Sequence, residues 1–168
     1  MTKPHRKPRR HNAAPDRPAP GEPPRLDLGF LNGLLGYMLR RAQLAVYQDF
    51  FRTFADANVR PAQLAVLTIL ERNPGLKQTA IATALGIKRT NFVGLIDGLE
   101  GRGLLERRVA DHDRRSSALH LTDEGRALLR RLKRMLDVHE RRIAAGLDDA
   151  ERRQLLALLE RIADISRA

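Results

Sequence analysis

Apolar residues recur at helical spacing along most of the chain. From Leu28 to Asp56 they fall every three or four positions, which predicts one long helix. Its apolar face is wider than one neighbouring helix covers, so we expect it to pack on its own domain and on a second chain. Pro61 is suited to the first turn of another helix, which should end near Arg72.

A helix-turn-helix is predicted between residues 76 and 103. Residues 76–85 form a short helix that Gly86 ends as a left-handed cap. A second helix begins just after Lys88, with Phe92, Leu95, Ile96 and Leu99 on its inner face. Two helices joined by three residues are typical of this motif.

The segments LLERRVA and ALHL predict two short strands around the charged turn DHDRRSS. Thr122 should then cap a long helix that reaches about Ala145. Asp148 and Glu151 should form a capping box for the last helix. The sequence therefore predicts a mainly α fold with a small β-hairpin wing.

Charge and composition narrow the function. Lys and Arg total 31 against 20 acidic residues, a formal charge of +11, which indicates a polyanionic partner. The mostly apolar run over residues 62–70 is too short to span a bilayer, and the N-terminus has no apolar signal core. We therefore expect a cytoplasmic protein that binds nucleic acid and no membrane. Without cysteine there is no disulfide, thiolate metal site or thiol nucleophile.

Residues 1–25 differ in composition from the rest. They hold seven of the nine prolines and are rich in arginine and lysine, so we expect disorder. They are either a solvated leader or a basic arm that contacts DNA. Residues 26–168 are predicted to be a single domain, with dimerisation helices over 28–56 and 123–168 around a winged helix-turn-helix over 61–122.

Three stretches together resemble the MarR family of bacterial regulators. They are LKQTAIATALGIKRTNFVGLIDGLEGRGLLERR at 76–108, Asp113-Arg114-Arg115, similar to the family's D-x-R wing signature, and Leu121-Thr122-Asp123-Glu124-Gly125, similar to its L-T-x-x-G. The resemblance implies a homodimer that binds a palindromic operator on double-stranded DNA, without a cofactor. It also implies release by a phenolic or aromatic effector. GYMLRRAQ is similar to members that respond to hydroxycinnamoyl-CoA thioesters.

The resemblance implies the DNA-binding residues. The candidates in the helix-turn-helix are Gln78, Lys88, Arg89, Thr90, Asn91 and Val93, and those in the wing are Asp113, Arg114 and Arg115. The N-terminal residues of a recognition helix lie nearest the base edges of the major groove, and arginines suit a narrow minor groove. Lys88 cannot cap its helix, and interior Gly94 and Gly98 weaken it. A solvated charged turn is the alternative for the wing.

The effector is expected between the dimer helices and the winged domain. The predicted lining residues are Tyr37, Met38, Arg40, Arg41, Tyr47, Phe51 and Phe54. An arginine pair beside aromatic rings suits a carboxylate or phosphate attached to a ring. Alternatively, the aromatics are plain core and the arginines a solvated face.

Other classes of function are less well supported. No catalytic motif occurs, so an enzyme is not expected. A metal cluster of Asp111, His112, Asp113 and His120 is an alternative interpretation of the hairpin charges, although wing-tip charges explain them better. The alternative function is a constitutive architectural DNA-binding protein without an effector.

Overall fold

The computed structural model describes residues 26–110 and 113–164, with only the backbone of residues 109, 110 and 113–116. The helices are α1 (Leu35–Thr53), α2 (Pro61–Arg72), α3 (Gln78–Ala84), α4 (Arg89–Glu100), α5 (Asp123–Ile143) and α6 (Asp149–Asp164). The strands are β1 (Leu76–Lys77), β2 (Leu105–Ala110) and β3 (Asp113–Leu121). Among the described residues, no helix is long and apolar enough to cross a bilayer. The mainly α fold with a β wing is confirmed.

The predicted single helix from Leu28 to Asp56 is wrong. A 3-10 helix (Gly29–Gly33) comes first, Leu34 is extended, and α1 ends at Thr53 before a second 3-10 turn. Gly29 has a left-handed φ of 51°, and its amide donates to the Asp27 carboxylate at 2.8 Å, which starts a turn instead of a helix. The chain divides into two compact units, one up to Arg40 and one from Arg41 onward, so the division lies within α1.

The sheet has three strands, not two. Leu76 and Lys77, predicted to begin a helix, form β1 and pair antiparallel with Leu119 and Ala118 of β3. The central strand β3 also pairs with β2, from Leu105↔Leu121 to Ala110↔Asp113, with a register shift after Val109. Since β3 begins at Asp113, the predicted turn DHDRRSS is also too long. Only residues 111 and 112 separate the strands.

The hydrophobic core lies in the second unit, where α1, α2, α3, α4 and α5 meet the sheet. Its fully buried side chains include Phe54, Val66, Leu67, Ile81, Phe92, Ile96, Leu99, Leu119, Leu129 and Leu132. On α4 the buried positions are Phe92, Ile96 and Leu99, which share one helical face. Burying this face leaves the N-terminal residues of α4 exposed.

The segment LTDEG joins the wing to α5. The Thr122 hydroxyl accepts the Gly125 amide at 3.0 Å, as predicted for the cap, and also donates to the Gly103 carbonyl at 2.6 Å. A Cβ on Gly125 would overlap the Leu104 carbonyl oxygen, so glycine is required by a close backbone approach. The predicted Asp148–Glu151 capping box before α6 is also present, with bonds of 2.8 and 2.9 Å.

Candidate nucleic-acid interface

A groove lies between α3 and α4. Gly86 has φ 62°, and the Ile87 amide returns to the Ala82 carbonyl at 2.9 Å, which ends α3 and turns the chain into α4. The resulting cavity, of about 350 Å³, is lined by Gln78, Thr79, Ala82, Thr83, Gly86, Ile87, Lys88, Arg89, Phe92 and Val93. The lining combines apolar side chains such as Phe92 with two exposed cations, Lys88 and Arg89. This arrangement is typical of a helix-turn-helix that reads DNA.

Four predicted DNA-binding residues, Gln78, Lys88, Arg89 and Val93, line this groove together. Thr90 and Asn91 are exposed on the first turn of α4 beside them. Lys88 is the N-cap residue of α4 and makes no capping bond, as predicted. Asp113, Arg114 and Arg115 belong to β3 by their backbone, but their side chains lie outside the described residues.

Two acidic residues on α4 bind a wing arginine that sequence reasoning missed. The Arg107 guanidinium on β2 donates to Asp97 at 2.5 Å and to Glu100. The next arginine, Arg108, donates instead to Glu106 of the same strand at 2.5 Å. Alternation along β2 places Arg107 on the face of buried Leu105, and this alternation was the only signal in the sequence.

The predicted effector residues fall in both units. Tyr37, Met38 and Arg40 belong to the first unit, where Met38 and Arg40 are exposed. Arg41, Tyr47, Phe51 and Phe54 belong to the second. There Tyr47 and Phe51 are about half exposed, with their rings edge to face at 6.3 Å. Phe54 is buried and stacks on Phe50 at 4.1 Å.

A second cavity, of about 250 Å³, lies at the end of α1. Phe51 and Phe54 line it, together with Ala55, Asn58, Val59 and Arg60, none of which was predicted. Asn58 has a left-handed φ of 47°, and the Arg102 guanidinium holds this turn by donating to its carbonyl at 2.8 Å. The cavity brings Arg60 together with the rings of Phe51 and Phe54, a combination that suits an aromatic ligand with an anionic group.

A polar cluster is buried where α1 meets α5. Asp49 Oδ2 lies 2.7 Å from His139 Nδ1, and Asp49 Oδ1 lies 2.5 Å from Arg52 and 3.3 Å from Arg142. The Arg52 bond chiefly, then His139, lowers the Asp49 pKa from 3.8 to about 2, although burial of the carboxyl opposes the shift. No pattern in the sequence reveals this cluster, because Asp49 and His139 are 90 residues apart.

The metal interpretation of the hairpin is not supported by any described contact. Asp111 and His112 lie outside the described residues, and so does the Asp113 side chain. His120 pairs in register with Glu106, and its ring lies beside Gly75. In the part of the chain that the structure describes, no three potential ligands converge on a metal position.

The fold and the groove define a winged helix-turn-helix protein of the DNA-binding class. The comparisons with known proteins agree. The MarR family model matches residues 57–116, which span the helix-turn-helix and most of the wing. A putative transcriptional regulatory protein for the hcr operon of Thauera aromatica is 36% identical over 148 residues, or 84% of this chain and 89% of that protein. This chain belongs to the MarR family.

Two solved structures of the transcriptional repressor CouR are similar over most of this chain. One, bound to a 23-mer DNA duplex, is 49% identical with a TM-score of 0.80, covering 83% of this chain and 99% of that one. The other, bound to p-coumaroyl-CoA, is 48% identical with a TM-score of 0.76, covering 83% and 98%.

Proposed function

We propose that this chain is a cytoplasmic, homodimeric transcriptional repressor that binds a palindromic operator and is released by an aromatic CoA thioester. The observation that carries the DNA-binding part is the α3–α4 groove, which brings Gln78, Lys88, Arg89 and Val93 together. Arg89 has the donors to bind guanine O6 and N7, Asn91 suits adenine, and Val93 suits a thymine methyl. Arg114 and Arg115 of the wing are the proposed contacts to the adjacent minor groove.

The dimer is supported by exposed apolar surface. None of the described residues of α6 is buried, although the helix carries several leucines. Four of them are between 37% and 53% exposed: Leu155, Leu156, Leu158 and Leu159. Leu44, Tyr47 and Phe51 on α1 are exposed to a similar extent. Apolar surface of this extent on an otherwise strongly charged chain is typical of an interface between subunits. Two copies present two recognition helices, as a palindrome requires.

The effector class is supported by the cavity at the end of α1 and by the CouR structure that holds p-coumaroyl-CoA. The rings of Phe51 and Phe54 suit the phenol ring of such an ester. Two arginines, Arg41 on α1 and Arg60 in the lining of the cavity, suit its phosphates. Tyr37, Met38, Arg40 and Tyr47 stay as candidate effector residues.

The test is a fluorescence-anisotropy titration of the protein with the DNA upstream of its own gene and with a shuffled duplex, at physiological salt. We expect about a thousandfold preference for the upstream DNA, in the range of specific binders. Added p-coumaroyl-CoA should then lower the affinity, whereas free coenzyme A should not. Equal binding to both duplexes with a steep salt slope would indicate an architectural DNA-binding protein instead.

A further inference from the structure

The recognition helix has little local reason to be rigid. Lys88 makes no capping bond at its N-terminus, and Gly94 and Gly98 interrupt its middle. A Cβ at either glycine would meet nothing within 4 Å, so no packing within the chain demands them. Each interior glycine weakens a helix relative to alanine. The order of α4 must therefore come from tertiary contacts.

Its inner face supplies part of that order through Phe92, Ile96 and Leu99. Arg107 supplies a contact of another kind at the outer edge of the C-terminal half. Asp97 and Glu100 are three residues apart, so both carboxylates point to one side of α4. One guanidinium binds both, through separate nitrogens. A planar fork with fixed donors holds two acceptors in a defined geometry, which a lysine cannot match.

The Arg107 side chain is less exposed than either of its acidic partners. It is 26% exposed, against 56% for Asp97 and 37% for Glu100, and its strand partner Leu119 is buried. The strand that carries it is the first strand of the wing. The contact therefore joins the two elements that enter DNA, the recognition helix and the wing, at their common base.

We propose that Arg107 is a positioning residue for DNA recognition, because it clamps Asp97 and Glu100 of the recognition helix to the base of the wing. The inference rests on the proposed DNA-binding function. Both carboxylates neutralise the guanidinium, so it acts through α4 and does not bind a phosphate itself. The clamp fixes the angle between helix and wing, and its loss lowers discrimination between duplexes more than overall affinity.

The test uses three variants of the full-length protein. Arg107→Met keeps the apolar stem and removes the guanidinium. The double variant Asp97→Asn with Glu100→Gln removes the two carboxylate charges. Arg108→Met is the matched control, because Arg108 lies on the same strand but donates to Glu106. A duplex is first enriched from a random library with the wild-type protein. Affinity for this duplex and for a scrambled one is then measured over a salt series, with amide exchange of α4 in the free protein.

We expect Arg107→Met and the double variant each to lose about fivefold to tenfold in discrimination, with faster exchange in the last turn of α4. The salt slope of Arg107→Met should match that of the wild type, and Arg108→Met should keep its discrimination. The double variant is decisive because it removes negative charge near DNA. If the acids only repel phosphates, that variant binds both duplexes more tightly with discrimination intact, which overturns the proposal.

Three further results would also overturn it. A salt slope lowered by about one in Arg107→Met, with equal losses on both duplexes, would mark Arg107 as a phosphate contact. If the wild type discriminates between the two duplexes and both clamp variants discriminate equally well, only the positioning role of Arg107 is overturned. A wild-type protein that enriches no duplex would overturn the proposed function together with it. If Arg107→Met does not fold, judged by its circular-dichroism melting curve, the double variant decides.

Discussion

Asp49 and His139 lie 2.7 Å apart in the interior, and this contact ties α1 to α5 across 90 residues of sequence. As whole residues, Asp49 is 7% exposed and His139 is 3% exposed. The Phe50 ring packs edge to face on the imidazole at 5.7 Å, so the polar pair is enclosed by the core. An interior carboxylate persists only where cations and donors surround it, and here Arg52, Arg142 and Thr53 complete that shell.

The Asp49 cluster predicts how stability depends on acid. Because the folded pKa of Asp49, about 2, lies below its ordinary 3.8, the ionised carboxylate stabilises the fold fully above about pH 4. This contribution is lost as pH falls from about 4 to about 2. Urea unfolding over this range should show the free energy of unfolding falling with pH more steeply in the wild type than in Asp49→Asn.

The same variant should be less stable than the wild type at neutral pH, since its amide cannot form ion pairs with Arg52 and Arg142. Asp56→Asn, at an exposed carboxylate in the turn after α1, is the control and should retain the wild-type slope. If Asp49→Asn also retains that slope, the cluster does not govern acid stability.

Two glycines predict opposite effects of the same substitution. Gly98→Ala should raise the free energy of unfolding by about 1 kcal/mol, because its site is helical and open. Gly125→Ala should lower it by about 2 kcal/mol or more, since the new methyl group collides with the Leu104 carbonyl. Urea denaturation at one fixed protein concentration measures both. A stabilised Gly125→Ala would mean that α5 is free to shift away from the wing.

The groove predicts a specificity effect at Arg89. Arg89→Ala should weaken operator binding by about tenfold to a hundredfold and relax selection at one base pair, if Arg89 binds a guanine edge. Arg153→Ala on α6 removes the same charge outside the groove and is the control. Titrations of single-base operator variants measure selection at each position. Equal loss on every sequence would assign Arg89 to a phosphate instead.

The leucines of α6 predict the assembly state. Leu155 and Leu159 are one turn apart, so Leu155→Glu with Leu159→Glu places two charges on one side of the helix. Sedimentation equilibrium should then show monomers at concentrations where the wild type is dimeric. Gln154→Glu adds a negative charge at a position already polar and should leave the dimer intact. A dimer that tolerates both glutamates would place the subunit interface elsewhere.

Local signals in the sequence predicted most of the helices. The caps at Thr122 and at Asp148 depend on residues within one turn, so their geometry could be anticipated. The extended Leu34 could not, because its neighbours continue the helical spacing and only the glycines on either side argue against it. Strand β1 was not predicted, for a different reason. Two residues carry no periodic pattern, and they pair with β3 more than 40 positions further along the chain.

The site was predicted in the same uneven way. The residues of the α3–α4 groove follow one another along the chain, so Lys88 and Arg89 could be placed from the motif alone. The partners of Arg107 could not be deduced, because Asp97 and Glu100 come within reach only when β2 folds back against α4. Of the residues that line the cavity beside Phe51, only Phe51 and Phe54 were predicted. Its aromatic wall belongs to a helical pattern, whereas Val59 and Arg60 come from a turn with no motif.

The three strands of the sheet differ in length, so the wing is supported differently along its length. Near its base, β3 is held on both sides, by Leu76 and Lys77 on one edge and by β2 on the other. From Ser117 back to Asp113, β3 pairs only with β2. The register of this pairing also shifts after Val109. Two strands alone bend more easily than three. The base of the wing, where three strands pair, is therefore braced on both sides, whereas the two-stranded part has support from one neighbour.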